Sequence, residues 1–98
     1  MRKLKKSIIT NDYVTCYICG AHSAEIHHIY FGSGNRKISD NNGFIVPLCH
    51  QCHTGNTGVH FDRERDLQLK QDCQRAYERT HSREDFILLI GRNYLDGV

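Results

Sequence analysis

Long apolar runs, internal repeats and low-complexity tracts are all missing from this 98-residue sequence. No segment approaches the roughly 20 apolar residues that a transmembrane helix needs, so we expect no membrane association. The N-terminus is basic, but the apolar pair that follows it, Ile8-Ile9, is too short for the core of a secretory signal. These absences predict a cytoplasmic protein.

A strong charge imbalance is also absent, since the formal net charge is only +2. This value is too small to indicate nucleic-acid binding by itself. The basic residues are unevenly distributed, however: several crowd the N-terminus, and Arg36 and Lys37 crowd a predicted loop. These two are either solvated surface residues or contacts for a polyanion such as DNA. We keep both as candidate nucleic-acid-binding residues.

Cysteines, by contrast, are abundant and regularly spaced. Four of the five follow the pattern Cys-x2-Cys-x29-Cys-x2-Cys: Cys16, Cys19, Cys49 and Cys52. Four thiolates from two tight turns complete the tetrahedral shell that structural Zn²⁺ prefers. The alternatives are reduced thiols without metal or a redox dithiol, although a redox pair would need no second copy. Cys73, the fifth cysteine, lies on an apolar helical face and is predicted to be a core residue.

Turn signals and apolar patterns divide the predicted small α+β domain, which spans 1–98, into two parts. The first part, 13–61, contains the zinc knuckles and a β-hairpin. The second part, 62–98, is a C-terminal extension of two helices. In this extension Ser82 forms a capping box with the aspartate three residues later, and the helix that it opens is predicted to run through Tyr94.

The first part contains the predicted strands. A short strand at 13–20 ends in the first Cys-x-x-Cys turn, and strands at 25–30 and 44–46 pair with each other. Pro47 limits the last strand, because proline has no N–H for a sheet ladder. Glycine and asparagine residues at 32–43 predict a connecting loop of about a dozen residues.

Several histidines near the cysteines exceed what a four-cysteine zinc site needs. His27 and His28 are adjacent on a predicted strand, so their side chains point to opposite sides. One ring can then bind a metal while the other performs a different task, such as activating water. His53 directly follows a zinc cysteine, and a glycine-containing loop can bring His60 back toward it. The alternative is that these are unrelated core or surface histidines.

The motifs EIHHI at 25–29 and PLCHQCH at 47–53 resemble those of the HNH endonucleases, which are also called ββα-metal or His-Me finger nucleases. The resemblance is narrower to small phage and prophage members with a four-cysteine structural zinc, and it covers about half of the chain, 14–61. It implies a ββα-metal, treble-clef-like finger as the fold. It also implies a hydrolase that cuts DNA phosphodiester bonds with one divalent metal ion inside a bacterial host cell.

The resemblance implies metal-binding roles for matching positions. His27 matches the first ligand of the catalytic ion, His53 the ligand after the second knuckle, and His60 a further ligand of some members. The residues that match the ligands of structural zinc are Cys16, Cys19, Cys49 and Cys52. Three imidazoles favour Zn²⁺, Ni²⁺ or Co²⁺ as the catalytic ion, whereas availability in the cell favours Mg²⁺ or Mn²⁺.

The resemblance also implies catalytic roles. His28 matches the general base, which takes a proton from the attacking water. The middle asparagine of the family pattern is replaced by Phe44, so Asn41 or Asn42, slightly upstream, is the candidate for holding the base. The alternative functions are a zinc-containing module that binds nucleic acid without cutting it and a protein-interaction module whose nuclease site has decayed.

Overall fold

In this computed structural model, which describes residues 6–22, 25–32, 34–55 and 58–95, two antiparallel strands and four helices form a small α+β fold. The elements are, in chain order, β1 (Glu25–His28), α1 (Asn35–Asn42), β2 (Ile45–Leu48), α2 (His50–His53), α3 (Arg63–Tyr77) and α4 (Arg83–Ile90). Most of the basic N-terminal cluster, residues 2–5, lies outside the described ranges.

β1 and β2 pair as the antiparallel hairpin that the sequence predicts, with Glu25 opposite Leu48. β2 is buried along its whole length and runs through Pro47, further than predicted. A proline is tolerated because each strand of a two-stranded sheet has one side without ladder partners. The Pro47 carbonyl accepts a hydrogen bond from the Tyr17 N–H at 2.8 Å. This contact holds the first cysteine knuckle against the strand.

Helix α1 occupies the segment between the strands, where a loop was predicted, so that prediction was wrong. The helix lies between Gly34 and Gly43, which have positive φ values of 81° and 75°. Gly43 donates its N–H to the Ser39 carbonyl, and a side chain at this position would collide with the Lys6 backbone. The residues that resemble a turn, 40–42, are therefore the last turn of a helix. A glycine that ends a helix and a glycine that forms a turn leave the same local signal.

The strand predicted at 13–20 is not formed either, although all of these residues are described. The first knuckle is instead closed by one isolated bridge between Thr15 and His22. Within it, Cys16 donates its N–H to the Ala21 carbonyl at 2.7 Å. The chain reverses within a few residues to present its cysteines, which leaves too little extended backbone for a strand.

The two C-terminal helices form as predicted, and α4 begins with the capping box of Ser82 and Asp85. The helix ends at Gly91, whose φ is 89°, so Tyr94 lies beyond it and the predicted end was wrong. Across the described ranges, no helix combines the length and the apolar character that crossing a membrane would require.

The core joins the end of the hairpin to the C-terminal helices. The Tyr30 ring packs edge-on against Phe44 and Phe86, with centroid distances of 5.3 and 5.5 Å. The Tyr30 hydroxyl donates a hydrogen bond to the Lys70 carbonyl of α3 at 2.6 Å. Cys73 of α3 is fully buried, as predicted. These contacts fix the end of β1, and hence its two histidines, relative to the helices.

Candidate metal centres

Four cysteine sulfurs come together where the first knuckle meets the start of α2. The ligand atoms of Cys16, Cys19, Cys49 and Cys52 all lie within 4.8 Å of one another. The Sγ atoms of Cys19 and Cys49 are 3.5 Å apart. A tetrahedral zinc with Zn–S bonds of about 2.3 Å places its sulfurs roughly 3.8 Å apart. The predicted cysteines therefore form a cluster that could hold a structural zinc.

The surroundings of these thiols favour metal binding. The N–H groups of Cys19 and Cys52 donate to the Sγ atoms of Cys16 and Cys49, each at 3.5 Å. Burial raises the pKa of Cys16, but backbone hydrogen bonds lower it by more, and the resulting pKa is about 6. Burial and the neighbouring thiols raise the pKa of Cys52. The Cys16 thiolate thus forms easily, whereas ionisation of Cys52 is costly chiefly because it is buried, and a bound dication would offset that cost.

Three histidines form a second group. His27 of β1, His53 at the end of α2 and His60 in the following loop have ligand atoms that lie within 4.8 Å of one another. Their ring centroids are separated by 5.0 to 5.4 Å. The loop returns tightly, because Val59 donates its N–H to the Cys52 carbonyl at 2.8 Å. A side chain at Gly58 would lie 2.6 Å from the His53 carbonyl oxygen, so the return requires glycine. His60 therefore lies near His53, as the glycine-containing loop allowed.

His27 has the environment of a metal ligand. Its side chain is 2% exposed, and its Nε2 atom is buried without a hydrogen-bond partner among the described residues. Burial, followed by the nearby charges of His53 and His60, lowers its pKa from 6.5 to about 3. The ring is therefore neutral near pH 7. A buried polar atom without a partner is unfavourable, and coordination of a divalent ion would satisfy it. The three residues fit such an ion.

A carboxylate that was not predicted, that of Glu25, supports this group. Glu25 Oε1 lies 2.9 Å from His53 Nδ1, and Glu25 Oε2 lies 3.4 Å from His50 Nδ1. The hydrogen bond from His53 lowers the pKa of Glu25, although slight desolvation opposes this. The alternation of side chains along a strand could have indicated this role of Glu25. Residues two apart in β1 share a face, and Glu25 precedes His27 by two.

His28 is excluded from this three-histidine group, as its position beside His27 predicts. Its Nε2 atom lies 2.5 Å from Asp40 Oδ1 of α1, and both side chains are about 15% exposed or less. Asn42, which with Asn41 was a candidate to hold His28, donates its side-chain amide to the Ile38 carbonyl at 2.8 Å. Asp40 was not predicted because its segment resembles a turn rather than a helix that faces β1.

Both histidines of β1 border one open cavity of about 210 Å³. Its lining residues are Ile26, His27, His28, Phe31, Arg36, His53 and His60. The exposed Arg36 thus lies at the cavity, whereas Lys37 is exposed on α1 and is not among the lining residues. Lys70 Nζ lies 4.7 Å from the centre of the Phe31 ring at the cavity edge. Lys70 is also paired with the Asp66 carboxylate at 2.7 Å, so among the lining residues Arg36 supplies the fixed positive charge.

No protein-family model matches the chain, and no curated protein or solved structure matches it either. Nothing in these comparisons identifies an HNH endonuclease. The structure shows a small α+β protein with a four-cysteine cluster compatible with zinc and an adjoining three-histidine group.

Proposed function

We propose that this protein is a metal-dependent endonuclease that hydrolyses DNA phosphodiester bonds, as its resemblance to the HNH family implies. The proposal rests on one observation: three kinds of side chain that DNA hydrolysis needs border the same cavity. These are a group of three histidines suited to a divalent ion, a further histidine held by a carboxylate, and an arginine.

His27, His53 and His60 would hold the catalytic ion. When bound, a divalent ion would supply a Lewis acid that stabilises the negative charge developing as the phosphodiester bond breaks. The four cysteines would hold a structural zinc. Since His53 follows Cys52 on α2, that zinc would also fix the backbone that presents the histidine.

His28 acts as the general base. The Asp40 carboxylate accepts the hydrogen of Nε2, so Nδ1 keeps a lone pair and can take the proton of the attacking water. Asp40 thus performs the holding task expected of Asn42. Arg36, at the same cavity, binds a phosphate oxygen of the DNA backbone and places the scissile bond.

Plasmid cleavage in the presence of Mg²⁺, Mn²⁺, Co²⁺ or Ni²⁺ tests this function. His28→Ala should lower the cleavage rate by roughly 10²–10⁴-fold and leave zinc content and DNA affinity unchanged. The matched control is His81→Ala, since His81 is exposed and stacks on Tyr77, 4.1 Å away. Cleavage by His28→Ala at the wild-type rate would refute the assignment. A wild type that binds DNA but never cuts it would favour the non-catalytic zinc module.

A further inference from the structure

We propose that Glu25 is a positioning residue for the three-histidine group, holding the His53 ring so that its Nε2 atom faces His27 and His60. The inference rests on the proposed function, in which these histidines bind the catalytic ion. The role of Glu25 is additional to that function, because the family pattern did not single out this residue here.

The hydrogen bond between Glu25 and His53 selects one form of the ring. An ionised carboxylate can only accept, so at 2.9 Å the His53 Nδ1 atom must donate its hydrogen to Glu25 Oε1. A neutral imidazole carries one N–H, and Nε2 is therefore left with its lone pair. Metal-binding histidines are commonly fixed in this way by a carboxylate on the second ring nitrogen.

The fold places the carboxylate where this task requires it. Glu25 begins β1 and pairs with Leu48, which is followed directly by Cys49, the N-cap of α2. His53 ends the same short helix. The strand that supplies His27 therefore also supplies the group that orients His53, and one hairpin fixes both rings.

Folding stability does not account for the contact. The Glu25 side chain is 45% exposed, and ion pairs at such positions add little to stability. Glu25 also approaches His50, whose side chain is 74% exposed and which does not belong to the histidine group. If the carboxylate served only surface pairing, His50 and His53 would be equivalent partners. The shorter distance and the partly buried ring, 19% exposed, single out His53.

Calorimetric titration of Co²⁺ into the full chain, prepared with one zinc per molecule on the cysteines, tests the proposal without reference to cleavage. Glu25→Ala should weaken Co²⁺ binding by about 10–100-fold. Glu25→Gln should retain most of the affinity, because its amide oxygen can accept the same hydrogen bond. His50→Ala and Glu84→Ala, which remove the second partner of Glu25 and an exposed carboxylate on α4, should bind as wild type.

Nitrogen NMR of the imidazole rings supplies an independent readout in the metal-free site. The proton of His53 should reside on Nδ1 in the wild type and in Glu25→Gln, and should shift to Nε2 in Glu25→Ala. Unchanged Co²⁺ affinity in Glu25→Ala would overturn the proposal. So would a Glu25→Gln variant as weak as Glu25→Ala, which would identify Glu25 as a direct metal ligand. If His53→Ala also binds Co²⁺ as wild type, the histidine group itself, and not only the role of Glu25, is wrong.

Discussion

Replacing His27 by leucine should make the metal-free protein more stable and abolish its stabilisation by a divalent ion. The Nε2 atom of His27 is buried without a partner among the described residues, and such an atom costs about 1–3 kcal/mol. Leucine fills a similar volume without a polar atom. In a domain of this size each kcal/mol raises Tm by roughly 4–8 °C, so the variant should melt several degrees higher.

The response to metal should reverse this order. A ligand at a concentration 100 times its Kd stabilises the native state by about 2.7 kcal/mol. Wild-type protein with Co²⁺ should therefore match or exceed the leucine variant, whose Tm should not respond to Co²⁺. The assay is thermal unfolding of zinc-loaded protein with and without Co²⁺, with His81→Leu as the exposed control. A folded leucine variant that melts below the metal-free wild type, or that keeps the Co²⁺ shift, would refute the reasoning.

The free energy of unfolding of the metal-free wild type should also depend on pH, and the leucine variant should lack this dependence. Because the pKa of His27 is lowered from 6.5 to about 3, the unfolded chain binds more protons than the native one between these values. Native stability is therefore unaffected above pH 6.5 and decreases as the pH falls toward 3. From pH 7.5 to 5.5 this loss is about 1.4 kcal/mol at 1.36 kcal/mol per unit. Denaturant unfolding at both pH values should show that this increment is missing in the leucine variant.

Substitutions of Cys49, Asp40 and Arg36 separate the remaining roles. Cys49→Ser should unfold the chain or lower its Tm strongly, since structural zinc binding is worth about 10–16 kcal/mol. Zinc analysis and circular dichroism check this, and a wild-type Tm with full zinc content would contradict it. Asp40→Ala should lower kcat by about tenfold or more with KM unchanged. Asp40→Asn should retain part of the activity, because its side-chain oxygen can still accept the hydrogen bond from His28. Equal kcat values in the wild type and both variants would exclude a catalytic role for the contact between Asp40 and His28. Arg36→Ala should weaken DNA binding and reduce its salt dependence by about one phosphate contact, measured by fluorescence anisotropy. Lys37→Ala is the comparison variant, since Lys37 lies outside the cavity lining. A salt slope of Arg36→Ala equal to that of the wild type would remove Arg36 from the interface.

Local patterns were sufficient to predict the hairpin, the capping box of Ser82 and the approach of His60 to His53. Each of these depends on neighbouring residues, or on a glycine-containing return that the spacing permits. Helix α1 was missed because Gly43 ends a helix with the same residue type that would form a turn. That error also concealed Asp40, since only a helix packed beside β1 turns its carboxylate toward His28.

The two carboxylate contacts could not be derived from spacing alone. Asp40 is 12 residues from His28, and Glu25 is 28 residues from His53. Such distances in sequence are bridged by tertiary packing, which periodicity does not encode. The alternation of β1 nevertheless indicated that Glu25 shares a face with His27. A carboxylate in register with a candidate metal ligand is therefore a usable signal in a sequence of this kind.

Single-turnover cleavage of an end-labelled DNA duplex, followed as Mn²⁺ or Co²⁺ is titrated into zinc-loaded protein, tests the nuclease assignment most directly. The cleavage rate should rise and saturate at one added ion per chain, and the products should carry 5′ phosphates. His53→Ala should keep the cysteine-bound zinc and show no cleavage at any metal concentration. Wild-type protein that binds both the added ion and the duplex, yet leaves the DNA intact throughout the titration, would contradict the account.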